Sequence, residues 1–358
     1  MSRRRSPTSA CSRRDLIKGA SALAATLYAA PVRAAAPPAA VVTPELVAAA
    51  RQEGKVVWYT SAEVQVAEKI AKAFEAKYSG IAIRVERTGA ERVYTRIAQE
   101  RASRVYAVDV VNSSDAAHFI AWKRDGLLAP YVPEDVAKFY PPEHKDPDGL
   151  FATFRLYLSV IGYNTNLVKP ADAPKSFADL LEPKWKGKIV KAHPSYSGGI
   201  MTATYQMARD LGWDYFEQLA KQNVMQVQSS ADPPRVLARG ERAVMADGAD
   251  QQLFVLKDAG QPVEVVYPAE GAPLVVGPNG IVKEAPNPNA ARLLQSFLFS
   301  VEAQQLINDL AYRSAHPHAK ERPGRTPLRD IKTMKDDPVA VQKESDTVKA
   351  RYAKIFKV

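Results

Sequence analysis

Three short apolar runs alternate with helix-patterned segments over residues 55–125. The runs are KVVWYT (55–60), IAIRVE (81–86) and AVDVVNSS (107–114). Between them, apolar residues recur three and four positions apart, as at Val66, Ile70 and Phe74, which is the spacing of one helix face. Alternation of strands and helices indicates a parallel sheet covered by helices. The sequence therefore predicts an α/β fold with mainly parallel sheets.

A second set of alternating segments follows residue 186. Its predicted strands are GKIVKAH (187–193) and ERAVMA (241–246), and its predicted helices are IMTATYQMARDLG (200–212), DYFEQLAKQ (214–222) and PPRVLARG (233–240). Two long β-prone runs, 150–165 and 262–276, flank this set. They predict two chain crossings between two lobes, joined by a hinge and separated by a cleft.

We predict the following boundaries. Residues 1–34 form a removable leader, 35–158 with about 265–300 form the first lobe, and 159–264 form the second lobe. Residues 301–358 form a C-terminal helical segment that packs on the lobes. Without the leader about 324 residues remain, more than one compact core usually holds.

The leader has the organisation of an export signal. A basic start is followed by the alanine-rich run GASALAATLYAAP (19–31) and by VRA, which ends at Ala34. The pair Arg13-Arg14 resembles the twin-arginine type of signal. Thirteen weakly apolar residues are too few to span a bilayer. We therefore expect a periplasmic protein that is cleaved near Ala34 and is not embedded in the membrane.

The leader also accounts for much of the basic charge. The whole chain has a formal net charge of +10, but the leader contains seven of the 49 basic and one of the 39 acidic residues, which leaves +4. This balance gives no support to a nucleic-acid partner. The single cysteine, Cys11, lies in the leader, so we expect no disulfide and no thiolate metal site in the exported chain.

Hydroxyl groups and glycines recur where the predicted strands end. The strand ends read TSAE (60–63), RTGAE (87–91), NSSD (112–115), HPSYSGG (193–199) and ADGAD (246–250). Ligands of open α/β sheets bind at the carboxyl ends of the strands, beside helix N-termini. The turn HPSYSGG is able to hold an anion on backbone N–H groups, or it simply caps the helix that follows. Both interpretations stay open.

The block IGYNTNLVKPADAPKSFADLLEPKWKGKI (161–189) resembles a characteristic segment of the iron(III)-type periplasmic substrate-binding proteins, the solute receptors of ABC importers. Supporting matches are WYTSAE (58–63) and the stretch 266–307, and the similarity covers roughly residues 45–330. The resemblance implies a type II two-lobed fold and a receptor without enzymatic activity or cofactor. It would deliver a small ligand to a permease and ATPase complex, and we expect it to be a monomer.

The strand ends and the resemblance together predict the ligand-binding residues. Ser195 to Gly199 match the second-lobe turn of the family, where an anion meets a helix N-terminus, and Arg155 and Tyr157 on the crossing strand are further donors. We expect a small anion or zwitterion, namely a phosphonate, phosphate ester or carboxylate, and no metal. The predicted residues are Ser61, Glu63, Thr88, Ser113, Ser114, Asp115, Arg155, Tyr157, Tyr196, Ser197, Gly198, Gly199, Asp247 and Asp250.

A ferric receptor is one alternative. In ferric-binding members of the family, two adjacent tyrosines follow a strand that begins with Gly-Glu. Here the strand after Gly240-Glu241 leads to Asp247-Gly248-Ala249-Asp250 without a tyrosine. Fe(III) suits carboxylate oxygen, which Glu63, Asp115 and Asp250 could supply, but the phenolate pair is missing.

An exported hydrolase is the alternative from another class. Ser197 and His193, with Asp247 or Asp250, contain the residue types of a hydrolytic set. The serine lacks the glycine spacing of a nucleophile elbow, which argues against this alternative. A further pair of histidines in HPH (316–318) is interpreted as a solvated loop rather than a metal site.

Overall fold

The computed structural model describes residues 36–358. The predictions on the export signal, the Arg13-Arg14 pair, Cys11 and the cleavage site lie outside these residues. Among the residues described, no helix combines the length and the apolar character that a membrane span requires.

Two β-sheets organise this part of the chain. The first sheet contains β1 (Lys55–Thr60), β2 (Ala82–Arg87), β3 (Val110–Asn112), β4 (Leu128–Ala129), β5 (Ala152–Leu158), β11 (Ala272–Val282) and β12 (Thr333–Met334). The second contains β6 (Ile161–Asn164), β7 (Ile189–Ala192), β8 (Met225–Val227), β9 (Val244–Met245) and β10 (Val263–Val266). We call each sheet with its helices the first or the second lobe.

Helices cover both sheets. In chain order they are α1 (Pro44–Glu53), α2 (Val64–Lys77), α3 (Ala90–Ala102), α4 (Ala116–Arg124), α5 (Glu134–Phe139), α6 (Gly198–Leu211), α7 (Trp213–Ala220), α8 (Asp232–Ala238), α9 (Asp250–Asp258), α10 (Pro288–Phe299), α11 (Val301–Asp309) and α12 (Pro338–Phe356). Local chemistry sets their ends. Helix α1, for example, begins after Thr43, whose hydroxyl accepts a hydrogen bond from the Leu46 N–H, and ends at Gly54 with a φ of +70°.

The two-lobed α/β architecture is confirmed, but each sheet is mixed rather than mainly parallel. In the first sheet β1 is parallel to β2 and β3, whereas β11 is antiparallel to β3, β4 and β5. In the second, β7 is parallel to β8 and β9, while β6 is antiparallel to β9 and β10. The antiparallel pairs arise because the chain leaves the first lobe along β5 and returns along β11, in the opposite direction.

Each long β-prone run divides where the chain passes between lobes. Residues 150–165 break at Ser159 and Val160 into β5 and β6, and 262–276 break into β10 and β11. The two crossings lie side by side, since the Ser159 N–H donates to the Pro273 carbonyl at 2.9 Å. The residue bounds predicted for the lobes remain a prediction.

Each lobe has its own apolar core, and the C-terminal segment contacts both. Trp58, Phe74 and Phe154 belong to the core of the first lobe. The core of the second contains Phe216 and also Tyr352 from α12. Helix α12 packs on α4 of the first lobe and on α6 and α7 of the second, so it links the lobes independently of the two crossings. Residues 310–337, between α11 and α12, contain no α-helix.

Candidate functional site

A polar cavity of about 110 Å³ lies between the lobes. Strand ends and helix N-termini from both lobes form its wall. The lining residues are Ser61, Glu63, Arg87, Gly89, Ala90, Arg92, Ser114, Arg155, Tyr157, Tyr196, Ser197, Gln228, Ser229, Ser230, Gln251 and Tyr312.

Arg155 is a buried cation in the cavity wall. It lies on β5 and is only 1% exposed. Its Nη2 donates to Ser61 Oγ at 3.0 Å and to Asn112 Oδ1 at 3.3 Å, both of which are neutral acceptors. Among residues 36–358 no carboxylate lies within 4.0 Å of the guanidinium, and its Nε has no hydrogen-bond partner. The cavity therefore contains a positive charge that the described residues do not neutralise.

The N-terminus of α3 adds backbone donors. Its N-cap, Gly89, has no side chain to accept from the first helical N–H groups, and Gly89 and Ala90 both line the cavity. The first N–H groups of a helix lack acceptors within the helix and carry the positive end of its dipole. Such a terminus favours a negatively charged group.

The turn before α6 both caps its helix and faces the cavity. Ser197 is the N-cap, and its Oγ accepts from the Ile200 N–H at a long 3.4 Å. Gly198 and Gly199 start the helix, and the lobes approach so closely there that only glycine fits at either position. A Cβ on Gly198 would lie 2.6 Å from Asp115 Cβ, and one on Gly199 would lie 1.7 Å from the Tyr157 hydroxyl oxygen.

Glu63 is the single carboxylate among the lining residues, and two arginines neutralise it. Its Oε1 lies 3.6 Å from Arg87 Nη2, and its Oε2 lies 3.6 Å from Nη2 of Arg235, which is on α8. The Glu63–Arg235 pair spans the two lobes. Because Arg87, Arg92 and Arg155 all line the cavity, its wall has an excess of positive charge.

Two tyrosine hydroxyls of the wall stay protonated. Burial raises the pKa of the Tyr157 and Tyr312 phenols above the ordinary value. The Arg155 guanidinium lies 4.8 Å from the centre of the Tyr312 ring. A neutral phenol donates a hydrogen bond to an anion, whereas a metal ligand of this type has to be a phenolate.

The cavity brings together half of the residues predicted from the sequence. Those that line it are Ser61, Glu63, Ser114, Arg155, Tyr157, Tyr196 and Ser197. Those that do not are Thr88, Ser113, Asp115, Gly198, Gly199, Asp247 and Asp250. Asp115 instead caps α4, where its Oδ1 accepts from the Ala117 N–H at 2.9 Å, and Ser113 Oγ accepts from the Asp115 N–H at 3.1 Å.

The two aspartates of the second lobe are held by buried cations. Asp247 Oδ2 lies 2.6 Å from Lys191 Nζ, and both side chains are fully buried. Asp250 Oδ2 lies 2.6 Å from Arg325 Nη2 and 3.4 Å from Arg313 Nε. The pattern at the strand ends cannot predict these cationic partners, because Arg313 and Arg325 belong to the C-terminal segment, far along the chain from the two aspartates.

Several lining residues have no counterpart in the predicted set. Arg87 is the last residue of β2 and precedes Thr88, the residue that the strand-end pattern predicts instead. Gln228 to Ser230 follow β8, a strand of three residues that is too short to be recognised by its pattern. Tyr312 follows Ala311, which has a φ of +73°, in a segment without a local signal for a site.

The HPH stretch also differs from its predicted state, because His316 is buried. Its ring packs edge-on against Tyr140, with the ring centres 5.6 Å apart. His316 Nε2 lies 3.6 Å from Asp135 Oδ2. Only part of this stretch is therefore a solvated loop, and Pro317 and His318 are the exposed residues.

Comparisons with known proteins identify the family of this chain. A family model described as bacterial extracellular solute-binding protein matches residues 69–338. The putative 2-aminoethylphosphonate-binding periplasmic protein of Salmonella typhimurium is 28% identical over 250 residues, covering 66% of this chain and 70% of that protein.

Two solved structures share the fold. The periplasmic binding protein AfuA from Actinobacillus pleuropneumoniae, with fructose-6-phosphate bound, is 27% identical, with a TM-score of 0.78 and coverage of 86% of this chain and 99% of AfuA. Iron-bound HitA from Pseudomonas aeruginosa is 21% identical, with a TM-score of 0.73 and coverage of 84% and 99%. The similarity to HitA is evidence for the fold only.

Proposed function

This chain belongs to the family of bacterial extracellular solute-binding proteins, and from that premise we propose that it captures a small phosphate ester or phosphonate between its lobes. The site of action is the periplasm, and the partner is the permease and ATPase complex of an ABC importer. Relatives described as binding 2-aminoethylphosphonate or fructose-6-phosphate support this ligand class.

The observation that carries the proposal is the buried, unneutralised charge of Arg155. Moving a cation out of water is costly unless an opposite charge or a full set of hydrogen bonds replaces the lost hydration. Ser61 and Asn112 supply two neutral acceptors, and the guanidinium Nε still has no partner among the described residues. An anion in the cavity supplies the missing charge. Phosphate and phosphonate oxygens also match the planar donors of a guanidinium.

The charge balance favours a doubly charged head group over a zwitterion. Three arginines line the cavity, and the single lining carboxylate, Glu63, lies near Arg87 and Arg235. An ammonium group on the ligand would therefore have to compete with two guanidinium groups for Glu63. A phosphate monoester or phosphonate without an amine fits this wall better.

The same wall argues against ferric ion. Of the three carboxylates predicted for that alternative, Asp115 and Asp250 lie outside the cavity lining. Arg155 repels a trivalent cation, and the raised pKa values of Tyr157 and Tyr312 oppose phenolate ligands. An enzymatic role is also set aside, since the family consists of solute-binding proteins.

Calorimetric titration tests the proposed ligand class. The probes are fructose 6-phosphate, 2-aminoethylphosphonate, inorganic phosphate and ferric citrate. We expect a phosphorylated or phosphonate probe to bind the wild-type chain, and Arg155→Gln to weaken that binding by about ten- to a hundredfold, because one charged hydrogen-bonding group is lost. Arg96→Gln is the matched control, since Arg96 pairs with Glu86 and Glu100 at the surface. Equal affinity of Arg155→Gln and wild type, or binding of ferric citrate alone, would contradict the proposal.

A further inference from the structure

We infer that Glu91, Asp115 and His118 form a binding site for one divalent transition-metal ion of the zinc type, separate from the ligand cavity. The three residues come from the first turns of α3 and α4. Each offers one ligand atom, and these atoms lie within 4.8 Å of one another. None of the three lines the cavity described above.

The distances suit a metal of this size. His118 Nε2 lies 3.5 Å from Glu91 Oε1 and 3.8 Å from Asp115 Oδ2. A tetrahedral zinc ion with ligands about 2.1 Å away holds those ligands roughly 3.4 Å apart. The two nitrogen–oxygen distances are within a few tenths of an ångström of that spacing, and the two carboxylate oxygens lie within 4.8 Å of each other. A water molecule would complete the coordination.

His118 is buried and aimed into this cluster. Its side chain is 9% exposed, and Nε2 faces Glu91 Oε1 and Asp115 Oδ2. Its other nitrogen, Nδ1, lies 2.9 Å from Ser113 Oγ, and the ring stacks on Tyr94 with centres 4.5 Å apart. A hydrogen bond at Nδ1 is the usual device that orients a metal-ligating histidine and leaves Nε2 free for the metal.

Each of the two carboxylates has one oxygen bonded elsewhere and one oxygen that faces the cluster. Glu91 Oε2 accepts from Lys349 Nζ at 3.0 Å, while the buried Oε1 has no hydrogen-bond partner among residues 36–358. Asp115 Oδ1 caps α4, and its Oδ2 is the oxygen that faces His118. Two carboxylates close together repel each other, and a divalent cation between them removes that repulsion.

The donor set selects the metal class. One imidazole nitrogen and two carboxylate oxygens suit zinc and similar first-row ions, whereas calcium and magnesium prefer sites made of oxygen alone. A direct contact between His118 and Glu91, without a metal, is the competing arrangement of the same residues. The two arrangements differ in whether Zn²⁺ binds with a defined stoichiometry.

The test is calorimetric titration of the purified, tag-free, EDTA-treated chain with Zn²⁺, together with metal analysis after dialysis. We expect one Zn²⁺ per chain, and more than tenfold weaker binding for His118→Gln and for Glu91→Gln. His316→Gln is the matched control, because His316 is also buried and also faces a carboxylate, Asp135. This control should bind Zn²⁺ like the wild type.

Circular dichroism melting of each variant shows whether it is folded. Asp115→Asn serves as the third ligand variant, because asparagine keeps the helix cap. Absence of stoichiometric Zn²⁺ binding by the wild type would overturn the inference. So would unchanged Zn²⁺ affinity in a folded His118→Gln or Glu91→Gln chain.

Discussion

Ser197 caps α6, and we propose that it also binds the ligand, so its substitution should affect both stability and affinity. Its Oγ accepts from the Ile200 N–H, which is a cap, and the same residue lines the cavity, where the hydroxyl proton is free to bind an anion. The cap bond is long, at 3.4 Å, so its contribution to stability is expected to be modest. The two interpretations of this turn that the sequence left open are therefore compatible with each other.

We predict that Ser197→Ala lowers the free energy of unfolding by about 1 kcal/mol and weakens binding of the phosphorylated probe about tenfold. The control is Ser300→Ala. Ser300 caps α11 in the same way, with its Oγ 3.3 Å from the Ala303 N–H, and does not line the cavity. It should show the loss of stability with unchanged affinity. Thermal melts beside calorimetry measure both, and equal affinity of the two variants would show that Ser197 is only a cap.

His316 gives the fold a dependence on pH. Burial lowers its pKa below the ordinary value, so the folded state keeps the ring neutral while the unfolded chain takes up a proton near pH 6.5. Stability from this group is present above pH 6.5 and is lost as the pH falls below it. We predict that the difference in unfolding free energy between wild type and His316→Gln shrinks from pH 7.5 to pH 5, as measured by urea unfolding. A difference that is constant or grows toward pH 5 would contradict this assignment.

At the scale of elements, Asp250 connects the hinge to the C-terminal segment. It is the first residue of α9, its Oδ1 accepts from the Leu158 N–H at the end of β5, and its Oδ2 meets Arg313 and Arg325 of the C-terminal segment. One buried carboxylate thus joins the second lobe, a crossing strand and the segment before α12.

Asp250→Asn should cost about 3–5 kcal/mol of unfolding free energy, because it removes the counter-charge of the buried Arg325 and leaves the buried Arg313 only Glu321, at 3.9 Å. Asp258→Asn is the control on the same helix. Asp258 pairs with Arg322 near the surface, and exposed pairs contribute about 0–1 kcal/mol. Denaturant unfolding of both variants measures the contrast, and a similar small loss in each would mean that the hinge does not depend on this residue.

The elements also show what a sequence pattern can and cannot predict. The run KVVWYT predicts a strand over 55–60, and β1 has those bounds. The prediction succeeds because the signal lies within the run itself: apolar residues in the middle and a polar residue, Lys55 or Thr60, at each end. Residues 150–165 form one continuous β-prone run, and no glycine or proline marks the passage from one sheet to the other at Ser159 and Val160. The hydroxyls at strand ends identify Ser61, Ser114 and Ser197, which are local features. Tyr312 and the arginines that pair with Asp250 come from distant parts of the chain, and only the tertiary fold places them near the cavity and near Asp250.

At the scale of the whole molecule, the predicted resemblance to iron(III)-type periplasmic binding proteins is confirmed by the family match and the related structures. The receptor role and the two-lobed α/β fold are confirmed with it. The lobes touch across the cavity through Glu63 and Arg235, and α12 packs on both. Export by a twin-arginine signal, the monomeric state and the importer complex remain predictions.

The central claim is that a phosphorus-containing anion occupies the cavity against Arg155. Native mass spectrometry of the chain purified from the periplasm, with ³¹P NMR of any released ligand, tests it most directly. The account predicts a one-to-one complex with a phosphate ester or phosphonate that is absent from Arg155→Gln and retained in Arg96→Gln. A bound ferric ion, a bound ligand without phosphorus, or equal retention of the phosphorus ligand in Arg155→Gln would contradict it.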